Sequence, residues 1–254
     1  SSIGNRNRVN GDDRGGPEVT VAIASINTRP FTELAIRTAV RRAGRDVRVV
    51  VGDAGSTDGT LEMLKRLGPE YVTDIEVEPA GRKHAEWMDG WLRSIRSEFV
   101  VFVDSDLEFR RSGWLTRMLD VQQREGADIV AGEWQGGASD YIEPVGLRSI
   151  RAMPRPAPWL LLVKRAPIQA LETSFEFFSE ETDEVHEGIR AWDVAGLIAY
   201  RARGAGLKVS IMPDDFRKYY HHYEGRSWRR SGRSAIRANI VGSSRLVRFR
   251  LLGR

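Results

Sequence analysis

Apolar residues recur in this chain in two alternating rhythms. Residues 19–26, VTVAIASI, form a nearly unbroken apolar run, the pattern of a strand buried on both faces. Residues 32–44, TELAIRTAVRRAG, then repeat apolar positions at helical spacing and close on Gly44. The pair recurs. VRVVVGD (47–53) predicts a second strand, GSTDGT (55–60) a glycine-rich turn, and LEMLKRLG (61–68) a helix capped by Thr57 or Asp58. YVTDIEV (71–77) predicts a short third strand, HAEWMDGWLRSIRS (84–97) a helix carrying Trp87 and Trp91, and FVVFVD (99–104) a fourth strand. A helix over 113–124 and a strand ADIVAGEW (127–134) follow. Strands alternating with helices predict an α/β fold whose sheet is mostly parallel, with right-handed crossovers.

Regularity weakens through a proline-rich stretch at 144–158, where the pattern places a seam. Beyond it the rhythm predicts a strand WLLLVK (159–164), an acidic loop at 180–187, and a helix over 189–206, IRAWDVAGLIAYRARGAG. A strand LKVSIM (207–212) and a loop YYHHYEGRSW (219–228) complete this part. The expected organisation is a leader at 1–18, one half at 19–133, a second at 134–223, and a C-terminal segment at 224–254. The leader, polar and glycine-rich without periodicity, reads as unstructured.

Length and composition narrow the classes. A chain of 254 residues buries roughly three quarters of its unfolded surface, enough for one large domain or two small ones. No run reaches the roughly 20 apolar residues of a membrane span, and no signal-peptide layout stands at the front. The expectation is a soluble body with a cytoplasmic location and a possible membrane association. The absence of Cys excludes disulfides and thiolate metal sites. The net charge of +4 conceals an asymmetry: nine Arg and no Asp or Glu fall within 225–254, so taking +9 away leaves the rest at −5. Those arginines alternate with apolar residues such as Trp228, Ile236, Leu246 and Phe249, a pattern suited to an anionic membrane surface or a partner protein. A C-terminal helix packed on the body explains the pattern equally well. Nucleic acid is not expected as a partner.

The candidate chemistry gathers at predicted strand ends, where ligands collect in open α/β sheets. Asp104 and Asp106 follow the fourth strand with only Ser105 between them. Two carboxylates so close repel unless a cation or hydrogen-bond donors compensate, which points to a metal or a polar ligand; a solvated turn is the alternative. Ser25 to Asn27 and Asp53 fall at the same level. The turn after Asp53 fails as a calcium loop, because Gly55 and Thr57 stand where acidic or amide ligands are needed. A dehalogenase-type phosphatase is disfavoured by Leu107 and Glu108 after the aspartates.

The order strand plus SINTRP, strand plus DAGSTDGT, helix, then strand plus DSD resembles family-2 glycosyltransferases of the GT-A fold, over roughly residues 19–227. The resemblance implies a Rossmann-like, mostly parallel sheet with helices on both faces and a smaller acceptor-binding half. It implies that Ser25, Asn27 and Asp53 meet the base and ribose of a nucleotide sugar, favoured as UDP-linked, and that Gly81 and Arg82 lie near the ribose or diphosphate. Asp104, Ser105 and Asp106 become the DxD motif, with Mn²⁺ or Mg²⁺ on Asp104 and Asp106. Hard carboxylate oxygens suit those ions, and a cation on a diphosphate offsets the charge that develops as the glycosidic bond breaks. The family's usual Glu-Asp pair at a helix start is here Trp192-Asp193, making Asp193 the implied base of an inverting transfer, with Glu180, Glu181, Asp183 and Glu184 as alternatives. His221 or His222, the latter preferred, completes the metal shell, and Arg226 and Ser227 add diphosphate contacts. The acceptor, a glycan, lipid, peptide or small molecule, is not readable, although Trp134, Tyr141 and Trp159 are candidates to stack on a sugar. Rival readings are a metal-dependent nucleotidyl- or phosphate-transferring enzyme and an inactive sugar-nucleotide-binding or scaffold protein, the latter favoured by Trp192.

Overall fold

The computed structural model describes residues 18–135, 149–182 and 188–223. The leader up to residue 17, Tyr141, Asp183, Glu184, Arg226, Ser227 and the basic segment lie outside them. In chain order the elements are β1 (Val19–Ser25), α1 (Arg29–Arg42), β2 (Arg48–Asp53), α2 (Thr60–Leu67), β3 (Asp74–Val77), α3 (His84–Ser94) and β4 (Phe99–Asp104). After them come β5 (Leu107–Phe109), α4 (Trp114–Glu125), β6 (Ile129–Ala131), β7 (Trp134–Gln135), β8 (Ser149–Ala152), β9 (Arg155–Pro156) and β10 (Leu160–Lys164). The series ends with α5 (Arg165–Gln169), β11 (Phe178–Thr182), β12 (Gly188–Trp192), α6 (Gly196–Gly204), β13 (Val209–Ile211), a 3-10 turn (Asp214–Tyr219) and β14 (Tyr220–His222).

The main sheet has the order β13-β6-β10-β4-β1-β2-β3. Its strands run parallel except β10, which pairs antiparallel with both β4 and β6. The apolar run of β4 is explained by its two faces. Phe99, Val101 and Val103 enter one core with Ile36 of α1, Leu64 of α2 and Met118 of α4. Val100 and Phe102 enter the other with Met88 and Trp91 of α3, Ile168 of α5 and Ile198 of α6. Neither face of the strand is left for water, so alternation disappears from the sequence. β10 and β13 carry the same sheet across the proline-rich seam.

Close packing also explains a glycine. Gly52 lies in β2 under α3, and a Cβ there would stand 2.9 Å from three ring atoms of Trp87. Trp87 is thereby seated against the sheet, at the bottom of the cleft described below.

The helix expected over 189–206 is corrected: residues Gly188–Trp192 form β12, parallel to β8 and antiparallel to β11, and the helix starts only at Gly196. The segment has both a plausible helical period and a short strand period, and the two neighbouring ladders decide between them. Among the described residues, no helix is long and apolar enough to cross a membrane.

Candidate functional site

Parallel strands start and stop in register, so the ends of three of them share one level: Ser25 pairs with Asp53, and Ala24 with Asp104. Beyond these ends opens a cleft of about 1130 Å³. Its walls include Ser25, Gly81, Arg82, His84, Trp87, Asp104, Ser105, Asp106, Arg155, Trp159, Asp193 and His222.

The two aspartates leave β4 through a turn whose underside is polar and dry. Ser105 Oγ lies 3.1 Å from Thr28 Oγ1, Thr28 Oγ1 lies 3.0 Å from Thr32 Oγ1, and Thr32 Oγ1 lies 2.8 Å from Ser25 Oγ. All four residues are buried. This chain of hydroxyls joins the end of β1, the first turn of α1 and the β4–β5 turn, and each member can donate and accept. Ser105 therefore faces inward while its neighbours Asp104 and Asp106 face the cleft.

A strand pairing delivers the third member of the group. β14 runs antiparallel to β5, with His222 opposite Leu107. Side chains alternate along a strand, so His222 turns toward the aspartates and His221 turns to the other side, edge-on to Tyr223 at 4.6 Å. His222 Nε2 lies 3.1 Å from Asp106 Oδ1 and 3.5 Å from Asp104 Oδ2. The ring stacks on Trp159, centroids 4.7 Å apart, and the Asp104 amide donates to the Trp159 carbonyl. Asp104, Asp106 and His222 together offer donor atoms within 4.8 Å of one another. Two carboxylates and an imidazole are a hard, borderline donor set that fits Mn²⁺ or Mg²⁺. On the far side, His84, the first residue of α3, places Nε2 3.5 Å from Asp104 Oδ1.

The two carboxylates and the imidazole shift one another's protonation. Burial pushes the His222 imidazole down, but hydrogen bonds and charge from Asp104 and Asp106 outweigh it and bring it up to about 9. Burial pushes Asp104 up, yet His84 and His222 hold it below the usual carboxylate range. A folded-state value above the ordinary 6.5 means that the metal-free fold keeps this stabilisation fully below 6.5 and loses it as pH rises through about 9. A metal ion must displace that proton. Mn²⁺ affinity is therefore expected to rise about tenfold per pH unit below about 9, with roughly one proton released per ion at pH 7. Calorimetry in buffers of different ionisation enthalpy measures the release, and a value of zero would remove His222 from the ligand set.

The remaining sequence-predicted residues are placed as follows. Gly81, in the left-handed region at φ 84, and Arg82 line the cleft; the Arg82 guanidinium lies over the Trp87 ring at 4.4 Å and donates to the Glu86 carbonyl. Asp53 is buried just behind the lining. Its Oδ1 accepts the Ser56 amide at 2.9 Å, and its Oδ2 is buried without a hydrogen-bond partner among the described residues. Asn27, at φ 50, accepts the Thr57 amide on its side-chain Oδ1 at 2.7 Å and does not line the cleft. It ties the loop after β1 to the loop after β2. Asp58 bridges two helix starts, accepting the Arg29 amide of α1 and the Thr60 amide of α2.

Asp193 lines the same cleft, two residues ahead of the α6 cap Ala195. Its side chain is 61% exposed, and its carboxylate accepts from its neighbour's amide and from Arg155. Trp192 points the other way: it is buried against Phe178 and Tyr200 and does not line the cleft. The side chains of Glu180 and Glu181 lie outside the described set. Sequence reasoning missed His84 and Arg155. His84 carries no local signal beyond being one of four histidines. Arg155, between Pro154 and Pro156, stands in the stretch read as a seam.

The model of "Glycosyl transferase family 2" matches residues 20–160, more than half of the chain. Three solved structures are similar. A mannosyltransferase, PcManGT from Pyrobaculum calidifontis, in complex with GDP-Man and Mn²⁺, is 22% identical with a TM-score of 0.57, covering 78% of this chain and 55% of its own. S. aureus TarS 1-349 in complex with UDP-GlcNAc is 15% identical with a TM-score of 0.58, covering 89% and 66%. Glucosyl-3-phosphoglycerate synthase from Mycobacterium tuberculosis, with Mn²⁺, UDP and glucosyl-3-phosphoglycerate, is 15% identical with a TM-score of 0.52, covering 92% and 80%. At these identities the likeness is one of fold. The chain spans 55% and 66% of the first two proteins' lengths.

Proposed function

Because the chain belongs to glycosyltransferase family 2, we propose that it transfers a sugar, with inversion, from a nucleotide-sugar donor to an acceptor hydroxyl with the help of a divalent cation. The observation that carries this is the Asp104–Asp106–His222 group at the end of β4, facing a cleft large enough for a nucleotide sugar. Asp104, Asp106 and His222 would hold Mn²⁺ or Mg²⁺, which offsets the charge of a diphosphate leaving group. Arg82 adds a cation on the same wall. A UDP-linked donor is the favoured one; Asp53, buried just behind the lining, would shape the nucleoside end of the cleft through the Ser56 amide it accepts. Gly81 keeps the wall beside it low. Asp193, which lines the same cleft, is the base that accepts the proton of the attacking hydroxyl.

Trp192 supports the catalytic reading over the inactive one. Its indole fills a core position, so the departure from the family's usual Glu leaves the adjacent Asp193 in the cleft. An anionic membrane surface is a further proposed partner, resting on the arginines of 225–254. The full chain is expected to sediment with anionic vesicles at low salt and a variant ending at Gly225 to stay in solution; equal behaviour would remove this partner.

The donor is tested by thermal shift and calorimetry with UDP-glucose, UDP-N-acetylglucosamine and GDP-mannose, with and without Mn²⁺. A donor at 100 times its dissociation constant stabilises by about 2.7 kcal/mol, and the shift is expected only when Mn²⁺ is present. No shift with any of the three, or the same shift in excess chelator, would overturn the reading.

A further inference from the structure

The dipeptide Asp193–Val194 is held by one side chain from a remote strand. Arg155 Nη1 donates to the Val194 carbonyl at 2.7 Å and Nη2 to Asp193 Oδ2 at 2.8 Å. The Arg155 side chain is only 14% exposed, against 61% for Asp193. Asp193 Oδ1 accepts the Val194 amide at 2.8 Å, and the Asp193 carbonyl accepts the Gly196 amide at 2.8 Å. Both carboxylate oxygens are therefore directed, and each still has a lone pair for a proton. Without the guanidinium the carboxylate would sit on a short turn before a helix, held only by the Val194 amide on Oδ1.

The arginine itself is preorganised. Pro154 and Pro156 flank it; proline after a residue confines it to extended backbone, and the preceding ring fixes φ of its own residue. Gln135 of β7 pairs with it across the ladder. Gly196 packs 3.5 Å from its Cβ, counting from where a Cβ would stand on that glycine. Arg155 also lines the cleft, and its charge acts on Asp104 as well as on Asp193.

We infer that Arg155 is a positioning residue for the transfer: it fixes the Asp193 carboxylate toward the acceptor side of the cleft, and it acts through Asp193 rather than on the donor. This rests on the assignment of Asp193 as base. A planar guanidinium gripping a carbonyl and a carboxylate at once is a job that Lys cannot repeat, because an ammonium is a single point of charge. Misplacing a catalytic group by about 1 Å costs about 10²-fold in rate, so the loss should fall on turnover and spare donor binding.

The test uses the full chain and four variants, Arg155→Ala, Arg155→Lys, Asp193→Asn and the Ala/Asn double. Two quantities are read with UDP-glucose, UDP-N-acetylglucosamine and GDP-mannose in Mn²⁺: release of nucleoside diphosphate, with water as acceptor, and donor affinity by calorimetry. Arg155→Ala is expected to lower turnover by about 10- to 10²-fold with donor affinity within about threefold, and Arg155→Lys to fall between it and wild type. Millimolar guanidinium should restore turnover several-fold in Arg155→Ala and leave Asp193→Asn unchanged. The double variant should be no slower than Asp193→Asn. Should Arg155→Ala fail to fold, Arg155→Lys, which keeps the charge, takes its place with the same pattern.

Wild-type turnover in the Arg155 variants alongside a slow Asp193→Asn would overturn this inference alone. So would losses that multiply in the double variant, or a loss of donor affinity equal to the loss of turnover. Wild-type turnover in Asp193→Asn, or no turnover in the wild type with any donor, would overturn the assigned base and this inference with it.

Discussion

Asp193→Asn is expected to lower sugar transfer by about 10² to 10⁴-fold while changing donor affinity by less than about twofold. The substitution keeps the shape of the side chain and one accepted hydrogen bond, so Arg155 still has a partner. What it removes is the ability to take a proton. Inversion requires that the acceptor oxygen attack from the face opposite the leaving diphosphate, and a base within hydrogen-bond reach of that oxygen is the group whose loss acts on the chemical step alone. Asp193 lines the same cleft as Asp104 and Asp106, and its side chain is 61% exposed, open to an incoming acceptor. The measurement is nucleoside diphosphate release, paired with a donor titration and the anomeric configuration of the product. Near-normal turnover would shift the base to the acidic stretch around Glu181; a retained configuration would remove the need for one.

Asp106→Asn is expected to weaken Mn²⁺ and Mn²⁺-dependent donor binding by at least about 10²-fold, since even partners one bond removed from a metal cost 10- to 100-fold when lost. Asp106 is buried and within 3.1 Å of His222. An amide there offers a weaker oxygen to the cation. It also removes one of the two carboxylates that bring His222 up to about 9, so the variant's imidazole loses its proton at lower pH. The fold should survive, because the Asp106 carbonyl keeps its bond from the Tyr223 amide and the hydroxyl chain beneath Ser105 is untouched. Calorimetry with Mn²⁺ alone, then with donor, reads both effects. An unchanged metal response would take Asp106 out of the site.

These two carboxylates were legible for different reasons. Asp104 and Asp106 are written into the sequence because a strand buried on both faces is an unbroken apolar run, and a polar pair at its end is conspicuous against it. The strands β1, β2 and β4 and helices α1 to α4 were legible on the same ground: each depends on an unbroken apolar run or a period of 3.6 residues within one segment, which is a local property. Asp193 was found through the resemblance, and its local structure was misread. The segment 189–206 holds both periods, and only the ladders of β8 and β11 turn its first residues into a strand.

The choice between His221 and His222 belongs wholly to the tertiary structure. The two are adjacent and chemically identical, and what separates them is the register of β14 on β5, which sends one to the aspartates and the other to Tyr223. The antiparallel insertion of β10, the placing of His84 beside Asp104, and the grip of Arg155 on Asp193 are decided in the same way. Each depends on how distant strands, helices and side chains come together, and that is settled by the packing of the whole chain. The sequence by itself determined the strand ends and the charges they carry, because buried runs and polar breaks are local. Only the tertiary structure decided which distant side chains face those charges, because the pairing register that brings them there leaves no mark on either segment alone.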